Sequence, residues 1–239
     1  MTLPPETLDK ILEHIPTDDY GRPTLVACAL VATWWTGPSQ RRLFSSVSIY
    51  NGNYQRWING VVLPGPKSHL LQYVRSLEYF RGLPTEAVYP MRYLPEDCGG
   101  YFSALHNIHS LTLGFIKIEH ISEEGFHTCF SAFRETLTDL ALGQFAMSFS
   151  AFVTLVGYFP NITNLRLGMF MPIPDEGPVP LLSRPLRGKL LVRQFDSLCL
   201  EFFDRLAKLD LEYEELALDS LFSPETEFLE TILQISSST

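Results

Sequence analysis

The chain has 239 residues, 46% of them hydrophobic, enough for a sizeable buried core and far from the composition of a disordered segment. Its formal charge of −9 is unevenly placed: residues 201–239 carry ten Asp/Glu against two Lys/Arg, so the rest of the chain is near neutral. No broad basic field exists to attract a phosphate backbone, which argues against nucleic acid as a partner.

The first predicted helix carries Leu8, Ile11, Leu12 and Ile15 at i, i+3, i+4 and i+7, an apolar stripe along one side. Pro4 and Pro5 stand where a helix has no intrahelical donors to lose. Leu25, Cys28, Leu30, Val31 and Trp35 spread around a second helix, and Pro38 opens a short third one before Leu43 and Phe44. Three short helices cannot bury this much Leu, Ile and Trp among themselves, so some of that surface is expected to face another body.

That order of residues (Leu3-Pro4, Glu6, Leu8, Ile11, Leu12, Val31, Trp35, Leu43, Phe44) resembles the F-box, the module that docks a substrate receptor onto the Skp-type adaptor of SCF ubiquitin ligases. The resemblance covers about a fifth of the chain. Residues 16–23 make a longer and more polar link than the pattern has, and Ala32-Thr33 replaces its small-then-basic pair. The resemblance implies a three-helix F-box over residues 1–49, whose adaptor-facing residues are Leu3, Pro4, Leu8, Ile11, Leu12, Ile15, Leu25, Cys28, Val31, Trp35, Leu43 and Phe44, and through the adaptor a cullin.

Residues 50–73 read as a connecting segment punctuated by Gly52, Gly60, Pro64, Gly65 and Pro66. Beyond them a unit recurs. Leu111-Thr112-Leu113-Gly114-Phe115, Leu140-Ala141-Leu142-Gly143-Gln144-Phe145 and Leu165-Arg166-Leu167-Gly168-Met169-Phe170 share L-x-L-G with an aromatic just after. Weaker copies begin at Leu77, Leu198 and Leu216, and Val47-Ser48-Ile49 reads as a degenerate first one. The anchors lie 34, 29, 25, 33 and 18 residues apart, loose against the roughly 20 to 29 of regular leucine-rich repeats. Period two sends both leucines of a strand inward and the residue between them outward. The glycines are expected to let the chain leave the strand sharply.

Between the strands the period becomes helical: Phe126, Cys129, Phe130, Phe133 and Leu137 follow Ser122 and two acids, and Phe149, Phe152, Val153, Val156 and Phe159 end at Pro160. Ser223-Pro224-Glu225 opens a last helix with Phe228, Leu229, Ile232 and Leu233. The chain then stops at Thr239 with no further L-x-L strand, and the expectation is either truncation relative to a longer receptor or a helix folded back as a cap. The fold class expected is α/β: the F-box, then an irregular leucine-rich-repeat-like solenoid over residues 74–239. A doubly wound α/β domain is the alternative. Residues 159–167 and 183–190 are similar to phrases typical of the receptor half of fungal F-box proteins.

Two irregular stretches, residues 81–100 and 171–192, are rich in proline, and loops this long are uncommon unless they bind something or move. The second ends in Arg184, Arg187, Lys189 and Arg193 without an intervening acid, a set suited to an acidic or phosphorylated segment. The outward strand positions Glu78, Thr112, Ala141, Arg166, Cys199 and Ala217 are the other target-binding candidates.

Cys28, Cys98, Cys129 and Cys199 form no C-x-x-C pair, and reduced thiols in the cytosol or nucleus fit that spacing. The first residues hold no basic region and no long apolar run, so no secretory signal is read there. Residues 140–165 lack any charge over a span long enough to cross a bilayer, but they contain Gln144, Asn161, Asn164 and Pro160 and split into a strand pattern and a helix pattern, so a buried unit is expected. His106-x-x-His109 and His127-x-Cys129 are weak candidates for metal binding or nucleophilic chemistry, and no G-x-S-x-G, phosphate loop or H-E-x-x-H is present. No cofactor, metal or catalysis is expected. As the resemblance implies, the function is that of an SCF substrate receptor binding an adaptor and an unknown target. The alternatives are a scaffold acting outside ubiquitination and an enzyme with an F-box appendage.

Overall fold

The computed structural model describes residues 3–18, 20–50, 53–62, 68–80, 92–93, 102–118, 123–175, 182, 184–193, 200–206, 208–209 and 211–219. The final acidic stretch from residue 220, with its expected last helix, lies outside them, as do Ser122, Cys98, Cys199 and most of residues 81–100.

Three helices open the chain: α1 (Pro5–Glu13), α2 (Arg22–Val31) and α3 (Thr33–Leu43). Pro5 sits in the first turn of α1, where the Pro4 carbonyl accepts from the Thr7 and Leu8 N–H groups. The polar link into α2 is ordered locally, because the Asp18 carboxylate accepts from the Tyr20 and Gly21 N–H groups at 3.1 and 3.0 Å. Leu8 and Leu12, one turn apart on α1, bury against Leu25 of α2, with Ile15, Cys28, Trp35 and Leu43 packed around them.

A three-helix F-box, expected over these residues, is not evident. Only Ala32, in extended conformation, separates α2 from α3, and α3 carries Pro38 inside it and buries Ser39 alone. Three buried leucines make a small cluster apart from the main core, too little to close a self-contained bundle.

The rest is a parallel sheet. Its strands are β1 (Ser46–Tyr50), β2 (Ser76–Phe80), β3 (Arg92–Tyr93), β4 (Ser110–Ile118), β5 (Asp139–Met147), β6 (Asn164–Leu167), β7 (Phe170–Pro172), β8 (Leu186–Arg193) and β9 (Leu211–Asp219). They form one nine-stranded sheet in the order β1-β2-β4-β5-β6-β8-β9, with β3 beside β4 and β7 beside β5. Parallel neighbours need crossovers, and helices supply several of them: α4 (Tyr54–Trp57) after β1, α5 (Glu123–Phe130) after β4, α6 (Phe149–Tyr158) after β5 and α7 (Leu200–Leu206) after β8.

The period-two leucines meet in register. Val47, Leu77, Leu111, Leu140, Leu165, Leu190 and Leu216 are successive Cα partners across seven strands. From Leu77 to Leu190 these side chains are at most 1% exposed. They pack on one aromatic-rich core in which Phe130 meets Phe102, Phe133 and Phe159, and Phe202 meets Phe149, Phe152 and Phe170. Ser148 caps α6, its hydroxyl accepting from the Ala151 N–H at 3.2 Å, as an N-cap serine should.

The leucine-rich-repeat-like solenoid is thus corrected to a single parallel α/β sheet. Strand lengths from two to nine residues, the added strands β3 and β7, and one continuous core replace a stack of like units that each meet only their neighbours. The doubly wound alternative fails as well. Strand order follows chain order without reversal, and among the described residues no second core forms on the far face.

Three local readings change with it. Of the strand expected from Leu198, Leu198 and Cys199 lie outside the described residues and Leu200 begins α7; the strand that follows β6 in the sheet is β8. The stretch read as an irregular loop over 171–192 contains the end of β7 and most of β8. Gly114 and Gly143 do not end their strands, which run on to Ile118 and Met147; the left-handed backbone falls on the next residues, Phe115 (φ 57°) and Gln144 (φ 49°).

Candidate functional site

Because successive side chains on a strand point to opposite faces, burying the leucines turns the residues between them onto the other face. Ser48, Glu78, Thr112, Ala141, Arg166, Leu191 and Ala217 are Cα partners in one row across that face. The structure therefore brings together the expected Glu78, Thr112, Ala141, Arg166 and Ala217. Leu191 stands where Cys199 was expected, and Cys199 itself lies outside the described residues. Arg166 is exposed, and Glu78, Thr112 and Ala141 are half-buried.

Two rows flank this one. Toward the strand starts run Ser46, Ser76, Ser110, Asp139, Asn164, Lys189 and Glu215, all polar. Toward the strand ends run Tyr50, Phe80, Gly114 and Gly143. The Phe80 ring meets Phe115 edge-on at 6.3 Å, and the Gln144 amide reaches the Met169 sulfur at 3.9 Å. Phe80, Phe115, Gln144 and Gly143 escaped the sequence reading, which treated the glycines as strand exits. The recurring residue after L-x-L-G was the available signal.

Charges on this face are mostly engaged with one another. Lys189 is ion-paired with Glu215, whose hydrogen bond holds the ammonium pKa above its ordinary value. Arg187 pairs with Glu212 at 2.6 Å, and Asn164 donates to Asp139 at 2.8 Å. Arg184 donates to the Phe159 carbonyl, and burial holds its guanidinium below the usual value. Of the basic set expected to await an acidic partner, Arg184, Arg187 and Lys189 thus each make an intramolecular contact. Glu78 and Arg166 differ. Ser48 Oγ donates to the Glu78 carboxylate at 2.6 Å, and no described residue ion-pairs with either side chain.

The adaptor-facing candidates divide. Leu8, Leu12 and Leu25 are buried inside the helical cluster, with Ile15, Cys28, Trp35 and Leu43 half-buried against it. Leu3, Pro4, Ile11 and Val31 are exposed, and Phe44 lines a cavity of 780 Å³ beside β1 that also takes in Arg22, Tyr50, Trp57 and Glu78. A second cavity, of 510 Å³, joins α1 and α3 to the sheet between Asp9, Glu13, Arg41, Arg42 and Arg75. A third, of 180 Å³, surrounds Asp175, which accepts from the Ser150 N–H at 2.7 Å and pairs with Arg205 at 3.6 Å; Arg205 in turn lies over the Phe149 ring. That arrangement ties α7 to the start of α6.

The histidine candidates do not converge on a metal. His109 Nδ1 lies 2.8 Å from the Asn107 carbonyl and His127 Nδ1 lies 3.1 Å from the Tyr158 hydroxyl, and no cluster of three metal-ligating side chains occurs among the described residues. Cys129, expected as a reduced thiol, is disulfide-bonded, its partner lying outside the described residues; such a bond is uncommon in the cytosol. No helix among the described residues is long and apolar enough to cross a membrane. No family model matches the chain, and no curated protein matches it.

Proposed function

We propose that the chain is a non-catalytic substrate receptor of an SCF-type ubiquitin ligase: its N-terminal helices dock a Skp-type adaptor, which links it to a cullin, and the far face of its sheet takes the target. The observation that carries this reading is where the apolar surface lies. Of the ten large hydrophobic side chains exposed among the described residues, seven fall between residues 3 and 34: Leu3, Ile11, Tyr20, Val26, Leu30, Val31 and Trp34. This concentration of exposed apolar side chains falls in the segment whose residue order resembles the F-box, and such side chains would suit an interaction surface where they adjoin. The reading rests on those side chains and that resemblance, with no F-box fold assumed. The adaptor alone suggests the cytosol or nucleus; the Cys129 disulfide gives that location no support.

The test is co-purification with a Skp-type adaptor, comparing the parent chain with Leu30→Asp plus Val31→Asp. Both positions are largely exposed, at 82% and 71%, so the change should spare the fold and cost at least tenfold in affinity. Equal co-elution of parent and variant, or none for the folded parent, removes the reading. Adaptor binding without ubiquitin transfer to any captured target would instead favour a scaffold.

A further inference from the structure

We infer that the row from Glu78 to Arg166 receives an extended polypeptide segment laid across the strands, with a basic side chain over Glu78 and an acidic one about four residues away over Arg166. The inference rests on the sheet being the target-binding side of a receptor, and it names the chemistry of the target.

The spacing comes from the register. Glu78, Thr112, Ala141 and Arg166 are successive Cα partners on β2, β4, β5 and β6. Three steps between strands span about 14 Å, and an extended chain advances about 3.3 Å per residue, so a chain crossing the strands passes from one charge to the other in about four residues.

The floor between the two charges carries no long side chain. Thr112 and Ala141 lie in the row itself, and Gly114 and Gly143 lie beside them. The Phe80 ring covers Gly114, but a Cβ placed on Gly143 would meet nothing within 4 Å. A polypeptide backbone can therefore come close to the sheet there. Phe115 and Gln144, both left-handed, follow the two glycines at the upper margin. Strained backbone of this kind persists only where the surroundings hold it, and it gathers at binding sites.

The charge pattern selects the occupant. In the row below, Lys189 is paired with Glu215 and Asp139 accepts from Asn164. Among the described residues Glu78 is held by the Ser48 hydroxyl without an ion pair and Arg166 has no ion-pair partner, so each presents its charge to an incoming segment. A segment carrying the opposite charges at matching distance neutralises both without desolvating an unpaired ion.

The experiment uses the full chain and fluorescein-labelled nine-residue peptides of Ala, Ser and Thr with Lys and Glu four apart. The controls carry the two charges two apart, Lys with Lys, or Glu with Glu, all in 150 mM salt. The Lys–Glu peptide at spacing four is expected to bind at least tenfold tighter than each control. Non-specific attraction to the acidic chain would favour Lys–Lys instead. Arg166→Glu should switch the preference to Lys–Lys, and Gly143→Leu should abolish binding; Ala141→Leu serves if Gly143→Leu does not fold. Equal binding of all peptides, or a preference unchanged by Arg166→Glu in a folded variant, overturns the inference. Adaptor co-elution of the same preparation reports on the receptor reading. Lost peptide selectivity with adaptor binding intact removes this inference alone, and lost adaptor binding with the switch intact removes only the ligase assignment.

Discussion

The Phe80 ring lies across Gly114: a Cβ on Gly114 would stand 2.4 Å from Phe80 Cδ1, whereas one on Gly143, its partner on the next strand, would meet nothing within 4 Å. Two glycines in the same sequence motif thus do different work. One makes room for a ring and the other leaves a gap on the far face.

Gly114→Ala should destabilise the protein by about 1–3 kcal/mol through overpacking, while Gly143→Ala should be neutral or gain up to about 1 kcal/mol from the unfolded chain. Adding Phe80→Ala should remove most of the Gly114→Ala cost, a coupling that urea melts of the four-member cycle would reveal. Equal costs at the two glycines would refute the contrast.

A second glycine test concerns the start of β8. Gly188 has φ +99°, and a Cβ there would lie 2.0 Å from the Thr163 carbonyl oxygen, which accepts from the Lys189 N–H at 2.7 Å. The left-handed conformation alone costs an L-residue about 1–2 kcal/mol, and the neighbouring atoms are backbone that cannot swing away. Gly188→Ala should lower stability by more than about 2 kcal/mol, read as a loss of melting temperature with the β8–β9 pairing weakened in amide exchange.

Leu8 and Leu30 should separate fold from docking. Leu8 is 1% exposed within the Leu8–Leu12–Leu25 cluster, so Leu8→Ala is expected to cost about 2–5 kcal/mol. That cluster stands apart from the sheet core, so the loss should appear as faster amide exchange over α1–α3 while β4 and β5 stay protected. Leu30→Ala should leave both regions unchanged. Faster exchange of β4 and β5 together with α1–α3 in Leu8→Ala would show the two clusters to be one cooperative unit.

Tyr213 sets an alkaline limit. Burial raises its phenol pKa above the ordinary value of 10.0, and its hydroxyl finds no hydrogen-bond partner among the described residues. A raised folded pKa means that the contribution is fully present below the unfolded value and is lost as pH rises past about 10, where the unfolded tyrosine ionises and the folded one resists. Tyr213→Phe should match or slightly exceed the parent at pH 7, because it removes an unsatisfied buried group. Between pH 9 and 11 its melting temperature should fall less steeply than the parent's. Parallel curves would dismiss the assignment.

Much of the sheet was legible in the sequence because period two belongs to the strand itself. Leu77, Leu111, Leu140 and Leu165 could be marked as inward residues one strand at a time, and Glu78, Thr112, Ala141 and Arg166 followed as their outward neighbours. The L-x-L reading from Leu198 gives way at Leu200, its first described residue, because Phe203 and Leu206 follow at helical spacing and are buried in α7. The apolar stripe of α1 was equally plain, yet the stripe did not say that Leu8 and Leu12 turn toward Leu25 while Ile11 stays exposed; the position of α2 decides that.

Tertiary structure alone decided which of these charges pair with one another. Arg187 and Lys189 read as an unpaired basic run, since Glu212 and Glu215 are distant in sequence. Pairing them takes the β8–β9 register together with the irregularity between Gly188 and Lys189 that shifts it. The same register aligned Glu78 with Arg166 and left Gly143 bare between them. Periodicity is a property of local backbone geometry and is written residue by residue. Register, burial and charge pairing depend on contacts closed across long loops, so they appear only when the strands lie side by side.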